Sequence, residues 1–333
     1  MNFTWYELRI VEFVQKLSVN PIIDKAFIYI SYLGEAYLFI AVALSIFWLI
    51  DKKWAYQFVT AFLGSTIIVG GLKVAFKRLR PYQDSNIVRS IGTPATESYG
   101  ELSYSMPSGH SSTASSISIG VLKKSKNKFV NFLMILNIIL IPFSRIYLGQ
   151  HYLTDVLAGI ALGFLAVTLV YWLFSKTEKE EWIGFALVPL FVAGMAVILF
   201  LKIEKLYNKQ LFQAAGAFIA FALGYWFEKK VIKFEPKDKR VGVQIFKFIF
   251  GIAVVVALQQ GLKYLLPYAK VPQGESIPRR NLGFDAIRYF IIAGWATVGA
   301  PLFFKLLFRS GVQREPKVKK VYRERIKLPY QRA

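Results

Sequence analysis

The strongest constraint on the fold is a series of long apolar blocks that recur along most of the chain. An α-helix needs roughly 20 apolar residues to cross a hydrocarbon core about 30 Å thick, and the blocks approach or reach that length. Because a spanning segment must satisfy its own backbone hydrogen bonds in lipid, the blocks predict helices. Hydrophobic residues make up 55% of the 333 residues, which excludes an ordinary soluble domain. We therefore expect an all-α fold, a polytopic membrane helical bundle.

The blocks predict about nine transmembrane helices. They lie at residues 26–50, 54–76, 109–125, 128–146, 153–174, 182–201, 211–228, 246–266 and 286–308. Before them, Met1 to Asn20 interleaves apolar and charged residues. This pattern is typical of an N-terminal amphipathic helix in the membrane interface or, equally, of a short helix packed on the protein. No cleavable signal peptide is evident.

The basic residues indicate how the chain is oriented. More than half of the 42 Lys and Arg residues fall on one side of the predicted membrane, including the cluster 123–128 and the segment 229–247. Because basic residues accumulate in the cytoplasm, that side is predicted to be cytoplasmic, with the amino terminus outside. The net charge of +22 is thus explained by how the chain is oriented in the cell membrane. We therefore expect membrane lipids rather than nucleic acid as partners.

Three regions follow from this pattern. Residues 1–175 form the predicted core with its interfacial helix, 182–308 a four-span membrane extension, and 309–333 a basic cytoplasmic tail. The polar connection 78–107, on the outer face, is a candidate lid. The chain has no cysteine, which excludes disulfides and thiolate metal sites.

Glycine pairs predict close helix approaches at two places, Gly70-Gly71 and the pair Gly159 and Gly163.

Three polar motifs lie at span ends on the predicted outer face. In the first, Lys73, Lys77 and Arg80 are spaced so that they share one face of a helix ending at Pro81. Lys73 lies about two turns deep, where an ammonium group is costly, so we expect it to meet an anion. Lys77 and Arg78 are expected to extend to the interface instead.

The second motif, Pro107-Ser108-Gly109-His110, directly precedes an apolar block. Ser108 is a good N-cap, and Gly109 lets the backbone approach a ligand closely. Free amides and the positive end of the helix dipole favour a phosphate there.

In the third motif, Ser144-Arg145 ends one span, and His151 and Asp155 begin the next. The four-residue spacing lets Asp155 accept from one ring nitrogen of His151 and leave the other free to attack. Arg145 offers a planar fork suited to phosphate oxygens. Two histidines and an aspartate would suit zinc or iron, but the surrounding cations repel a dication. We therefore expect neither a metal nor a cofactor.

Together the motifs resemble those of the type 2 phosphatidic acid phosphatase superfamily. The patterns Lys-(six)-Arg-Pro, Pro-Ser-Gly-His and Ser-Arg-(five)-His-(three)-Asp occur whole and in order within about residues 25–175, and the later spans lie outside the resemblance. The resemblance implies metal-independent hydrolysis of a lipid phosphate or diphosphate through a phosphohistidine. His151 would attack phosphorus, oriented by Asp155, and His110 would protonate the leaving group. The implied phosphate ligands are Lys73, Arg80, Ser108, the Gly109 amide and Arg145.

An outward-facing site suggests undecaprenyl diphosphate, phosphatidylglycerol phosphate or phosphatidate as substrate, the first fitting carrier-lipid recycling. Two further functions stay open. One is a lipid phosphotransferase using the same phosphohistidine. The other is a non-catalytic transporter or scaffold, with polar residues in or near the spans lining a pathway, although interhelical hydrogen bonds are their simpler role. These residues are Glu35, Gln259, Gln260, Asp285 and Arg288.

Overall fold

The computed structural model describes residues 3–92, 104–200, 206–270 and 278–308. The predicted cytoplasmic tail 309–333 and residues 93–103 of the predicted lid lie outside these ranges. The described residues form helices and connections without any strand, so the predicted all-α class is confirmed.

The helices follow the apolar blocks closely. They are α1 Phe3–Gln15, α2 Pro21–Tyr32, α3 Ala36–Ser45, α4 Lys52–Phe76, α5 Pro81–Asp84, α6 Gly109–Leu122, α7 Lys128–Tyr147, α8 Leu153–Ser175, α9 Glu181–Phe200, α10 Leu206–Phe227, α11 Val241–Leu265, α12 Arg279–Gly294 and α13 Ala300–Leu307. Short π-helical turns extend α3, α10 and α12 over Ile46–Ile50, Glu228–Ile232 and Trp295–Gly299.

Within the described ranges, six helical stretches are long and apolar enough to cross a membrane. They are Lys52–Asp84, Lys128–Tyr147, Leu153–Ser175, Lys209–Ile232, Val241–Leu265 and Arg279–Leu307. A seventh is counted if α2 and the stretch Ala36–Ile50, which meet at a bend of 47°, form one span. The polytopic membrane class is confirmed, whereas the predicted count of nine spans is not.

Two predicted spans account for the difference between the predicted nine and the seven counted with the bent pair. The block 109–125 forms α6, which has 14 residues. At 1.5 Å per residue this helix is about 21 Å long and falls short of a hydrocarbon core of about 30 Å. The block 182–201 forms α9, Glu181–Phe200, within which the apolar stretch Glu181–Val197 is counted among the shorter apolar helices.

Local sequence explains where several helices begin. The side chain of Asn20 accepts from the amides of Ile22 and Ile23 at the start of α2. Asp51 accepts from the amide of Trp54 at the start of α4. Such side chains satisfy amides that have no acceptor within the helix, which fixes the first turn.

The short helix α6 lies at the centre of the core and packs against α4, α7 and α8. Glycines let α8 approach it closely: a Cβ at Gly159 would lie 2.4 Å from the carbonyl oxygen of Ser108, and one at Gly163 would lie 2.5 Å from that of Ser112. The predicted close approach at Gly159 and Gly163 is therefore confirmed. The one at Gly70-Gly71 is wrong, because no atom of a neighbouring helix lies within 4 Å of a Cβ built at either position.

Helix α1 packs on the protein along one face. Leu8 and Val11 are buried in a small apolar cluster with Val88, Ile146 and Tyr152. Its opposite face exposes large apolar side chains, among them Trp5, Tyr6 and Phe13. One face of α1 thus contacts the bundle, and an amphipathic helix placed in a membrane interface stays a prediction.

Candidate active site

The three polar motifs meet at one end of the bundle. This end comprises the last turn of α4, the first turns of α6 and α8, and the end of α7. His110 is partly buried, at 23% exposure of its side chain. The other predicted site side chains are almost fully buried: Lys73, Arg80, Ser108, Arg145, His151 and Asp155.

His151 lies in the connection between α7 and α8, with one ring nitrogen facing a carboxylate and the other facing cations. Its Nδ1 is 3.6 Å from Asp155 Oδ2, and its Nε2 is 3.4 Å from the Arg80 guanidinium. Because an arginine N–H can only donate, this contact makes Nε2 an acceptor and leaves the ring proton on Nδ1. Burial, followed by the charges of Arg80, Lys73 and Arg145, lowers the pKa of His151 well below its usual range. The imidazole is therefore neutral at neutral pH, with a lone pair available.

Asp155 is held by several donors in the first turn of α8. Its Oδ2 accepts from the Ser105 hydroxyl and from the Tyr152 amide at 2.8 Å, and its Oδ1 accepts from Arg78 at 2.9 Å. Its backbone carbonyl accepts from the Ser108 amide at 2.9 Å. This last bond ties the second and third motifs together, so the carboxylate and the Ser-Gly-His turn hold a fixed relative position.

The contacts of Arg78 contradict the prediction that its side chain extends to the membrane interface. Its guanidinium pairs with Asp155 and with Glu7 of α1, donates to Thr154 Oγ1 at 2.7 Å, and lies 3.8 Å from the centroid of the Tyr152 ring. Glu7, 3% exposed, also accepts from the amide of Thr154 at 3.0 Å. Charges this well enclosed need partners, and the fold supplies them through α1, an element whose position the sequence pattern left open.

The first motif is not one helical face. Helix α4 ends at Phe76, because Lys77 adopts the left-handed conformation with φ of 47°. Arg80 therefore lies on a non-helical segment and caps α5, with Pro81 beginning that helix rather than ending α4. Its guanidinium donates to Gln150, at 3.0 Å to the carbonyl and 3.2 Å to the side-chain oxygen. Lys73 Nζ reaches the carbonyl of Tyr104.

His110 has an acidic partner for which sequence reasoning gave no site role. Its Nε2 lies 3.1 Å from Glu35 Oε1, at the bend between α2 and α3. Gly34 makes this approach possible, because a Cβ there would lie 3.0 Å from His110 Cδ2. Ser31, in the last turn of α2, accepts from Arg145. Glu35 is a lone glutamate inside an apolar block, which could have marked it as a site residue. The sequence does not show, however, that the chain bends there.

Ser108 caps α6 as predicted: its Oγ accepts from the Ser111 amide at 3.3 Å and from the Ser111 hydroxyl at 2.9 Å. The first amides of a helix have no acceptor within it, so this helix start offers donors to an anion. Three cations, two histidines and these amides form a site suited to a phosphoryl group. Within the described ranges, no group of three or more His, Asp or Glu side chains is arranged to hold a metal ion.

Two family models match the chain. The PAP2 superfamily matches residues 54–179, and the PAP2 superfamily phosphatase, transmembrane extension, matches residues 212–312. Together the two matches cover more than half of the chain. The second match lies in the membrane extension that the motif resemblance left unexplained.

Several curated proteins are similar to the chain. A lipid A 4'-phosphatase of Porphyromonas gingivalis is 27% identical over 172 residues, which is 50% of this chain and 71% of the relative. An undecaprenyl-diphosphatase of Sulfolobus acidocaldarius is 28% identical, over 48% of this chain and 77% of the relative. A phosphatidylglycerophosphatase B of Bacillus subtilis is 39% identical over 24% of this chain and 43% of the relative. The crystal structure of Aquifex aeolicus LpxE aligns with 49% of this chain and 93% of that chain, at 24% identity and a TM-score of 0.44.

Proposed function

Because this membrane protein belongs to the PAP2 superfamily and is a phosphatase, we propose that it hydrolyses a lipid phosphate or diphosphate through a phosphohistidine formed on His151. The observation that carries the proposal is the placement of His151. The ring is buried and neutral, with Nδ1 facing Asp155 and Nε2 facing the cations that would attract a phosphoryl group.

In the first half of the reaction, Nε2 of His151 attacks phosphorus and the bond from phosphorus to the leaving oxygen breaks. Asp155 stabilises the positive charge that develops on the ring, since its carboxylate lies beside Nδ1. Lys73, Arg80 and Arg145 stabilise the phosphoryl oxygens, together with Ser108 and the Gly109 amide. Water then attacks the phosphohistidine and releases inorganic phosphate.

His110 is the proton donor to the leaving group in this mechanism. An acid must be protonated before it can donate. Burial, followed by the charge of Arg145, lowers the pKa of His110 to about 4, whereas the carboxylate of Glu35 at 3.1 Å opposes this shift and favours the protonated imidazole. Burial and nearby arginines lower the pKa of both histidines, and the carboxylate at hydrogen-bond distance from His110 distinguishes its environment from that of His151. A difference in environment allows two residues of the same type to act as nucleophile and acid in one site.

The substrate we favour is undecaprenyl diphosphate, with phosphatidylglycerol phosphate and phosphatidate as alternatives. The charge distribution supports a site on the extracytoplasmic face of the cell membrane, where a carrier lipid would be recycled. Relatives named for undecaprenyl diphosphate, lipid A and phosphatidylglycerophosphate support a membrane lipid as the substrate class.

The test is phosphate release from these three lipids in detergent, with a chelator present and no acceptor lipid added. The unaltered protein should release phosphate, which a strict phosphotransferase would not do. His151→Ala should lower turnover by more than about 10³-fold, because no nucleophile remains.

His110→Ala is the matched variant, since it changes the chain's other histidine. It should lose about 10²–10⁴-fold on lipid phosphates. It should lose much less on p-nitrophenyl phosphate, whose leaving group needs no proton. Substantial phosphate release by the His151→Ala protein would overturn the mechanism.

A further inference from the structure

A cleft lies at the opposite end of the helices that carry the candidate site. It has a volume of about 540 Å³ and is lined by the start of α4 and the far ends of α6 and α8. Gln57 in the cleft and Lys73 in the site are both on α4, about 24 Å apart at 1.5 Å per residue. The cleft is therefore separate from the candidate active site and faces the opposite side of the predicted membrane.

The charge of the lining favours an anion. Three lysines line the cleft, Lys53, Lys124 and Lys176, against one carboxylate, that of Glu178. Lys53 pairs with Glu180 at 3.3 Å. Within the described part of the chain, Lys124 and Lys176 form no ion pair, so their ammonium groups are available to a ligand.

Gln57 points to a ligand that also donates a hydrogen bond. Its side chain lines the cleft although the residue is only 6% exposed. Its Oε1 is buried and has no donor among the described residues. A buried acceptor without a donor is costly, and a hydroxyl group on the ligand would satisfy it.

Aromatic side chains place the cleft at the level of a membrane surface. Trp172 and Trp182 flank the lining segment 175–178 in the sequence and are 53% and 61% exposed. Exposed tryptophans concentrate where membrane meets water. A phospholipid in this leaflet would bring its head group to the lysines and leave its acyl chains outside.

We propose that this cleft binds the phosphodiester head group of a hydroxyl-bearing anionic phospholipid from the leaflet opposite the candidate active site. The phosphate contacts Lys124 and Lys176, and a head-group hydroxyl donates to Gln57 Oε1. Phosphatidylglycerol has this chemistry, whereas phosphatidylethanol has the same charge without the hydroxyls.

The experiment is a lipid titration of the purified full-length protein in detergent, followed by native mass spectrometry. Lys124→Gln/Lys176→Gln should lower the apparent affinity for phosphatidylglycerol roughly 30-fold. Lys126→Gln/Lys128→Gln is the control, because it removes the same charge from exposed lysines outside the lining and should leave the affinity unchanged. Equal losses in the two variants would show general surface attraction and overturn the proposal.

Gln57→Leu tests the hydroxyl contact separately. The unaltered protein should prefer phosphatidylglycerol to phosphatidylethanol, and this variant should bind both equally. A preference that survives in Gln57→Leu contradicts the assignment. Unfolding temperatures without lipid show whether each variant is folded.

A last comparison identifies the source of the ligand. Soluble glycerophosphoglycerol should bind far more weakly than phosphatidylglycerol, and equal binding would overturn the assignment to a lipid. Phosphatidylglycerol carries no phosphomonoester, so these results do not depend on the proposed hydrolysis.

Discussion

Arg78 joins three parts of the molecule through one guanidinium. It pairs with Asp155 beside the candidate nucleophile and with Glu7 on the N-terminal helix, and its side chain is only 19% exposed. Removing one partner from such an enclosed group leaves carboxylates without a counter-charge, at a cost of about 3–5 kcal/mol. Arg78 is thus a positioning residue, acting on His151 through Asp155.

Arg78→Gln should therefore lower both stability and turnover. We expect a clear decrease in the unfolding temperature in detergent and at least a tenfold decrease in kcat, because Asp155 loses a donor. The control is Lys77→Gln, which makes the same charge change at the adjacent, exposed position. Similar effects of the two substitutions would contradict the role of Arg78.

Glu35→Gln should change the pH dependence of catalysis. The carboxylate favours the protonated form of His110, so its removal should move the alkaline limb of the kcat/KM profile to lower pH. Glu35→Asp keeps the charge and should leave that limb closer to its original position. Because the pKa of His110 is lowered to about 4, the measurement is phosphate release from pH 3 to 9, and an unmoved alkaline limb in Glu35→Gln would refute the contact's role.

At the scale of elements, the site depends on how closely α8 packs on α6. Gly159 lies against the carbonyl of Ser108, the residue that begins the Ser-Gly-His turn. Any side chain at this position forces the two helix starts apart. The packing of α8 on α6 therefore also fixes the position of the phosphate ligands at the start of α6.

Gly159→Ala should destabilise the protein by about 1–3 kcal/mol, because the added Cβ meets backbone that cannot move aside. Its kcat should fall as well, since Ser108 shifts. Gly71→Ala is the matched control: it lies on α4 with open space around its Cβ, so better helix propensity should leave stability equal or raise it by up to about 1 kcal/mol. Unfolding temperatures and phosphate release measure both variants. An equally tolerated Gly159→Ala would show that this contact does not position Ser108.

At the scale of the whole molecule, one apolar core joins the first 175 residues to the extension. Tyr56 of α4 stacks on Tyr225 of α10 with ring centroids 4.0 Å apart. The indole of Trp48 donates to the carbonyl of Ala296 at 2.8 Å. Glu180, between the two parts, accepts from Lys229 at 2.9 Å. Although burial raises the pKa of Glu180, its hydrogen bonds, first that from Lys229, lower it to about 2.

The orientation of the whole molecule can be measured because the chain lacks cysteine. Asn86→Cys introduces a thiol on the exposed surface near the candidate site, and Lys237→Cys introduces one between α10 and α11. In intact cells an impermeant maleimide should label the first and not the second. Permeabilised cells serve as the control, in which both should react. Labelling of Lys237→Cys alone in intact cells would reverse the predicted orientation.

The sequence by itself determined the helical membrane class, most helix positions and the motif residues of the candidate site. Each of these follows from local chemistry: apolar length, capping side chains, and charges placed next to apolar blocks. The four-residue spacing also predicts that His151 and Asp155 lie close together, although His151 lies in the connection before α8 and its Nδ1, 3.6 Å from Asp155 Oδ2, forms no hydrogen bond among the described residues.

Only the tertiary structure decided the partners of the charged groups. The interfacial position predicted for Arg78 is wrong because its acceptors are Glu7, far away along the chain, and Asp155, in a helix start whose position depends on packing. Glu35 reaches His110 only because the chain bends at Gly34. Arg80 lies outside the helix that carries Lys73, because the backbone of Lys77 is in the left-handed conformation. A buried charge is stable only beside its counter-charge, and which residues become neighbours is fixed by how helices pack, not by their own sequence.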